Sequence, residues 1–90
     1  MVMEQNLSFR LGNVSCSPEV REVLREANVP QDELLRYHLF APSPELQADH
    51  LHAITHNEWI CSSFELKTSE KTVWIITDPQ QKSTNLYLEP

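Results

Sequence analysis

Glycine is almost missing from this chain: Gly12 is the only one in 90 residues. That scarcity excludes the phosphate-cradling loops of the common nucleotide-binding motifs, which need two or more glycines at fixed spacing. Cysteine is nearly as rare. Cys16 and Cys61 form no C-x-x-C pair, and two such residues in a chain without secretory features are expected to be reduced and buried rather than bridged. Basic residues are few, with 7 Lys and Arg against 13 Asp and Glu for a net charge of −6. Affinity for nucleic acid rests mainly on clustered Lys and Arg, so the balance argues against direct nucleic-acid binding. The acids form no run of five or six like charges, which reads as a solvated surface. An acidic face that meets a basic partner is the alternative. No apolar run is long enough for a signal peptide or a membrane span, so a soluble, cytoplasmic chain is expected, with no membrane partner.

What remains is the composition of an ordinary globular domain, 40% apolar and 22% charged. Ninety residues allow one domain over 1–90, and a chain of this size buries only about 60 to 65% of the surface its unfolded form exposes. A large enzyme cleft does not fit in so small a core.

Hydropathy patterning predicts an α+β fold: an N-terminal strand, three helices and a three-stranded antiparallel meander, with the helices packed on one sheet face. Leu7, Phe9 and Leu11 alternate with Ser8 and Arg10 as in a half-buried strand, and Gly12-Asn13 offers a turn or bulge before Val14. Ser17-Pro18-Glu19 opens the clearest helix. Ser17 can cap it, Pro18 suits its first position, and Val20, Val23, Leu24 and Ala27 make one apolar stripe that ends at Asn28. A shorter helix is expected from about Pro30 to Leu39, with Leu34, Leu35, His38 and Leu39 on one side. Ser43-Pro44-Glu45 repeats the same capping chemistry and starts a third helix, expected to reach His56 and stop at Asn57. From Trp59 the period becomes two. Ile60, Ser62, Phe64 and Leu66 face one way, Thr72 to Thr77 is rich in β-branched and aromatic residues, and Thr84, Leu86 and Leu88 alternate in a last strand after a turn at Asp78-Pro79.

The chemistry-bearing residues crowd into Asp49 to Cys61, which holds three of four histidines and one of two cysteines. At about 100° per residue, Leu46, His50, Leu51, Ala53 and Ile54 fall on the sheet side of the third helix, while Asp49, His52 and His56 gather opposite. His52 and His56, one turn apart beside Asp49, are the candidate metal ligands. The set is incomplete as a helical zinc motif. Ala53 stands where the general-base Glu would follow the first histidine, and no third imidazole except His38 is at hand. No resident cofactor is therefore expected. His38, alone on an apolar face, is expected to be a core residue held by hydrogen bonds rather than a base.

A catalytic centre is not expected either, because Ser62-Ser63 lack the glycines of a nucleophile elbow and Cys61 has no assured histidine partner. Trp59, Trp74 and Tyr87 are different. They lie on strands whose two faces three short helices cannot both cover, and exposed Trp and Tyr are the material of protein-binding hot spots, with a place in the small core as the commoner role of Trp.

Glu33-Leu34-Leu35 with His38, Ser62-Ser63-Phe64 and Thr72-Val73-Trp74-Ile75-Ile76-Thr77-Asp78 together resemble an uncharacterised family of small bacterial proteins carried on plasmids and other mobile elements. Its pattern runs E-L-L-x-R-H, then S-x-Y, then W-I-I-T-E-A-D-R-S-x-T-T-I-L-L-P, and it can be laid over this chain from about Leu11 onward. Tyr37 stands in place of the pattern's Arg, Phe40-Ala41-Pro42-Ser43 in place of its G-D-W-G, and Asp78-Pro79-Gln80-Gln81-Lys82 in place of its acidic turn. The resemblance implies the same order of elements and a mobile-element setting, with no activity attached. The expected function is a non-catalytic protein-binding module, an accessory or regulatory factor that meets a protein partner or forms a homodimer. An acidic inhibitor of a host defence or nucleic-acid-binding system, and a metal-binding protein using Asp49, His52 and His56, are the alternatives.

Overall fold

Capping chemistry places the first helix. In this computed structural model, which describes residues 9–67 and 69–89, helix α1 spans Pro18–Ala27. The Ser17 hydroxyl accepts the Val20 amide at 3.3 Å, and Asn28 closes the helix in the left-handed conformation, as a short polar side chain permits. Helix α2 spans Gln31–Phe40 and α3 spans Pro44–His56. Ser43 caps α3 through the Leu46 amide at 3.1 Å, and Asn57 ends it with φ 60°.

Four strands follow the scheme β1 Asn13–Cys16, β2 Ile60–Leu66, β3 Lys71–Thr77 and β4 Ser83–Leu88. The sheet order is β1-β4-β3-β2, with β2, β3 and β4 antiparallel and β1 parallel to β4. The sheet is therefore four-stranded and mixed, where a three-stranded meander is expected from the sequence. Its additional strand lies later than the alternation of Leu7, Phe9 and Leu11 suggests. Leu7 and Ser8 lie outside the described residues, and Phe9 to Gly12 form no ladder. Their period of two comes from another cause. Phe9 is buried and Leu11 half-buried because side chains pin this segment: the Gln81 Oε1 accepts the Arg10 amide at 3.0 Å, and the Thr84 hydroxyl donates to the Leu11 carbonyl at 2.7 Å.

All three helices lie on one face of the sheet, α1 over β4, α2 over β2 and β3, α3 over β2. Val20, Val23, Leu24 and Leu34 meet Leu66, Val73, Ile75 and Leu86 in the main apolar cluster. A second, smaller cluster holds Phe9, Ala53 and Ile60. Leu51, expected on the sheet side of α3, is instead 57% exposed. It sits about 120° from the centre of the arc that carries Leu46, His50 and Ala53, beyond the width of a buried stripe.

The lone glycine is placed where nothing else fits. Gly12 has φ +66°, and a Cβ there would stand 2.2 Å from the Lys82 carbonyl oxygen, at the point where the Asn13 amide donates to that same carbonyl. We expect Gly12→Ala to lower stability by about 2 kcal/mol or more in urea unfolding, because left-handed strain alone costs about 1 to 2 kcal/mol and the contact adds to it. A loss below about 0.5 kcal/mol would show that β1 docks on β4 without this close approach.

Candidate functional site

The two histidines on the inner faces of α2 and α3 meet over one serine. His38 and His50 are both fully buried, and between them lies Ser62 on β2, itself 1% exposed. His38 Nδ1 is 2.6 Å from Ser62 Oγ, and His50 Nε2 is 2.9 Å from the same oxygen. On its other side His38 Nε2 is 2.9 Å from Thr77 Oγ1, which is 2.7 Å from Thr84 Oγ1. The ring of Phe9 stands T-shaped to both imidazoles, at 5.2 and 5.7 Å between centroids.

Every proton in this chain can be assigned from its ends. The Thr84 hydroxyl spends its one hydrogen on the Leu11 carbonyl, so it accepts from Thr77. Thr77 then accepts from His38 Nε2–H, which leaves His38 Nδ1 as an acceptor for the Ser62 hydroxyl. Ser62 in turn accepts from His50 Nε2–H. The other end agrees independently, because the same His50 nitrogen is 3.2 Å from the Cys61 carbonyl, which can only accept. Both histidines are thus neutral Nε2–H tautomers. A proton on His38 Nδ1 would turn the Ser62 hydroxyl toward His50 and drive two acceptors together at Cys61.

Burial acts in the same direction. Desolvation, followed by the neighbouring His50, holds His38 far below the usual imidazole range, at about 3. Desolvation also lowers His50, against the opposing pull of the Cys61 carbonyl and of Asp49. His50 Nδ1 is a buried acceptor with no hydrogen-bond partner. Ser62 and His38 have the spacing of a nucleophile and its base, yet at 1% and 0% exposure no substrate reaches either atom in this conformation.

Among the described residues, no helix covers the opposite face of the sheet. Strand alternation puts Cys61, Ile76 and Asn85 there, and registers them in one row with Ser15 across all four strands. Each of the first three is the chain neighbour of an inner hydroxyl: Ser62, Thr77 or Thr84. The buried hydrogen bonds therefore fix the backbone directly beneath this row. With Trp59 and Tyr87 the row lines a shallow concavity of about 350 Å³. Trp59 is 56% exposed and Tyr87 42%. Trp74, paired with Tyr87 across the strands, is half-buried and donates its indole N–H to Glu89 at 2.8 Å. A second hollow of similar volume runs along the β2 edge between Trp59, Trp74, Asp49, His52 and Glu58.

The metal candidates lie on the exposed side of α3, where the His52 and His56 rings stack at 4.1 Å with 29° between planes. Their in-plane lone pairs run side by side rather than meeting at one point, and His56 Nδ1–H already donates to the His52 carbonyl at 2.9 Å. Among the described residues, no three His, Cys, Asp or Glu side chains are disposed to hold one ion. Both cysteines are free thiols, with burial pushing each up. Cys61 is exposed on the open face and Cys16 half-buried, so the expectation of two buried thiols fails at Cys61.

Sequence reasoning missed Ser62, Thr77 and Thr84 as partners of the histidines. A signal was present: each hydroxyl falls in phase with buried apolar neighbours, and two helices each put one histidine on an apolar face. Complementary counts of inward donors and acceptors point to a buried network.

The chain matches no protein family, no curated protein and no solved structure.

Folding lowers the proton affinity of His38 and His50, so the unfolded chain binds protons first. The contribution of His38 is complete above about pH 6.5 and is lost as the pH falls toward about 3, and His50 adds a loss of the same sign below about pH 6.5, at up to about 1.4 kcal/mol per pH unit for each histidine. Urea midpoints taken from pH 7 to pH 4 test this, and a flat profile would contradict neutral buried imidazoles. Ser62→Ala leaves His38 Nδ1 without its donor and His50 Nε2–H with only the longer bond to the Cys61 carbonyl, and is expected to cost about 1 to 3 kcal/mol.

Proposed function

We propose that this chain is a protein-binding module that performs no catalysis, and that its contact surface is the open sheet face around Trp59, Trp74 and Tyr87. One observation carries this reading. Two large aromatic side chains, Trp59 and Tyr87, stand 56% and 42% exposed around a concavity whose floor is Cys61, Ile76 and Asn85. A small domain with few apolar side chains to spare exposes them where another surface completes their burial. The floor beneath is rigid, because the inner hydroxyls of the adjacent residues are tied to two buried imidazoles. Preorganisation of this kind reduces the ordering cost of association.

The charge around the face suits a basic partner. Glu58 and Glu65 lie on the β2 side and Glu89 beyond the end of β4, in a chain whose net charge is −6. Rim carboxylates steer such a partner and add specificity more than affinity. The resemblance of the chain from about Leu11 onward to small mobile-element proteins gives the setting we propose: a cytoplasmic accessory or regulatory factor of such an element. Among the described residues, no helix is long and apolar enough to cross a membrane.

Affinity capture from the native cells, followed by mass spectrometry, identifies the partner, and the double variant Trp59→Ala/Tyr87→Ala tests the surface. We expect that variant to lose at least tenfold in affinity, the weight of one or two hot-spot aromatics, while its unfolding free energy changes by less than about 1 kcal/mol. Capture that the double variant leaves unchanged would place the contact elsewhere.

A further inference from the structure

The β2 edge of the sheet carries a further surface, and its own sequence supplies the partner. Strand β2 ends the sheet order. The Glu89 amide donates to the Thr72 carbonyl at 2.9 Å, so Thr72, Trp74 and Ile76 turn their backbone groups to β4. Lys71, Val73, Ile75 and Thr77 therefore turn theirs to β2, where they face Leu66, Phe64, Ser62 and Ile60. By alternation, Cys61, Ser63 and Glu65 point N–H and C=O outward along an unpaired edge. The His50 imidazole approaches the Cys61 carbonyl from that side, which agrees with the assignment.

We propose that two copies of the chain join antiparallel along β2, with the two-fold axis at Ser63, to form one continuous eight-stranded sheet. A closed pair of identical edges must be antiparallel, and the side chains select the register. An axis at Glu65 would set two carboxylates face to face, which is unfavourable. An axis at Cys61 would set Trp59 against Ser63 of the partner subunit and leave Lys67 with nothing opposite it. The axis at Ser63 sets Cys61 against Glu65 of the partner subunit and Trp59 against Lys67 of the partner subunit.

That last pairing joins complementary features on the page. The hollow at the β2 edge is walled by Trp59 and Trp74, with Asp49 and Glu58 beside them, the surroundings that suit an ammonium group. Lys67 is exposed, and among the described residues it takes part in no salt bridge. It cannot reach this hollow in its own chain, since Trp59 and Lys67 lie eight residues apart on an extended segment, about 27 Å. Across the two-fold it arrives there twice. The dimer sets the two open faces side by side; it shares Trp59 and Trp74 with the proposed contact surface but not Tyr87, and its formation does not require that another protein bind there.

Sedimentation equilibrium from about 1 µM to about 1 mM, a span suited to a small edge interface, tests the proposal. We expect the wild-type mass to rise to that of two chains. Lys67→Glu and Glu58→Lys should each weaken association at least tenfold, because each reverses two symmetry-related pairs. The double variant Lys67→Glu/Glu58→Lys should return to within about threefold of wild type, since the swap restores both pairs. Ser63→Pro removes an outward-facing N–H that the monomer does not use, a change edge strands tolerate, and it should leave a folded monomer by circular dichroism. If Ser63→Pro unfolds, the charge-swap series decides alone. A wild-type chain that stays monomeric over the whole range overturns the proposal. So does a dimer insensitive to these variants, or a double variant no tighter than the single ones.

Discussion

One serine hydroxyl shared by two buried imidazoles organises this molecule. Ser62 can serve His38 and His50 together only by accepting from one and donating to the other, and that demand fixes the tautomer of both. The same direction passes through Thr77 and Thr84 to the Leu11 carbonyl. The chain thus links α2, α3, β2, β3, β4 and the segment before β1 by hydrogen bonds that have one consistent orientation. Apolar packing could be satisfied by several small shifts of these elements, whereas a directional network is satisfied by few.

The position of the network explains how so small a core divides. The main apolar cluster lies under α1 and the start of α2, and the cluster of Phe9, Ala53 and Ile60 lies under α3. The network occupies the space that serves both. Phe9 closes it with its ring T-shaped to each imidazole, an arrangement that keeps water out and the rings neutral. The outward row Cys61, Ile76 and Asn85 inherits its rigidity, one residue away along each strand. Structural polar chemistry inside and exposed aromatic side chains outside are thus two sides of the same three strands.

Much of the fold was legible in the sequence because local rules decided it. Ser17-Pro18 and Ser43-Pro44 start helices as capping chemistry requires, and Asn28 and Asn57 end them. Alternation located β2, β3 and β4 and put Ser62 in phase with Ile60, Phe64 and Leu66. The first strand lies later than its sequence signal because period two also arises where side chains such as Phe9 and Leu11 bury without a ladder. Leu51 was misjudged because an apolar residue at the margin of a helical stripe has no neighbour to cover it.

The candidate site divides the same way. That one sheet face stays uncovered follows from an argument of area, which needs no tertiary detail. The histidine network required knowing which helix crosses which strand, since Ser62 is 24 residues from His38 and 12 from His50. The crowding of histidines that suggests metal proves to be two separate environments, with His50 inside and the stacked pair His52 and His56 outside.

Long-range proton–nitrogen correlation spectra of the histidine side chains, followed from pH 7.5 to pH 4.5, test the central claim most directly. The account predicts that His38 and His50 both appear as neutral Nε2–H tautomers and keep that form while the chain stays folded. An Nδ1–H tautomer at either position, or titration of either ring near the ordinary value of about 6.5 in the folded protein, would contradict it.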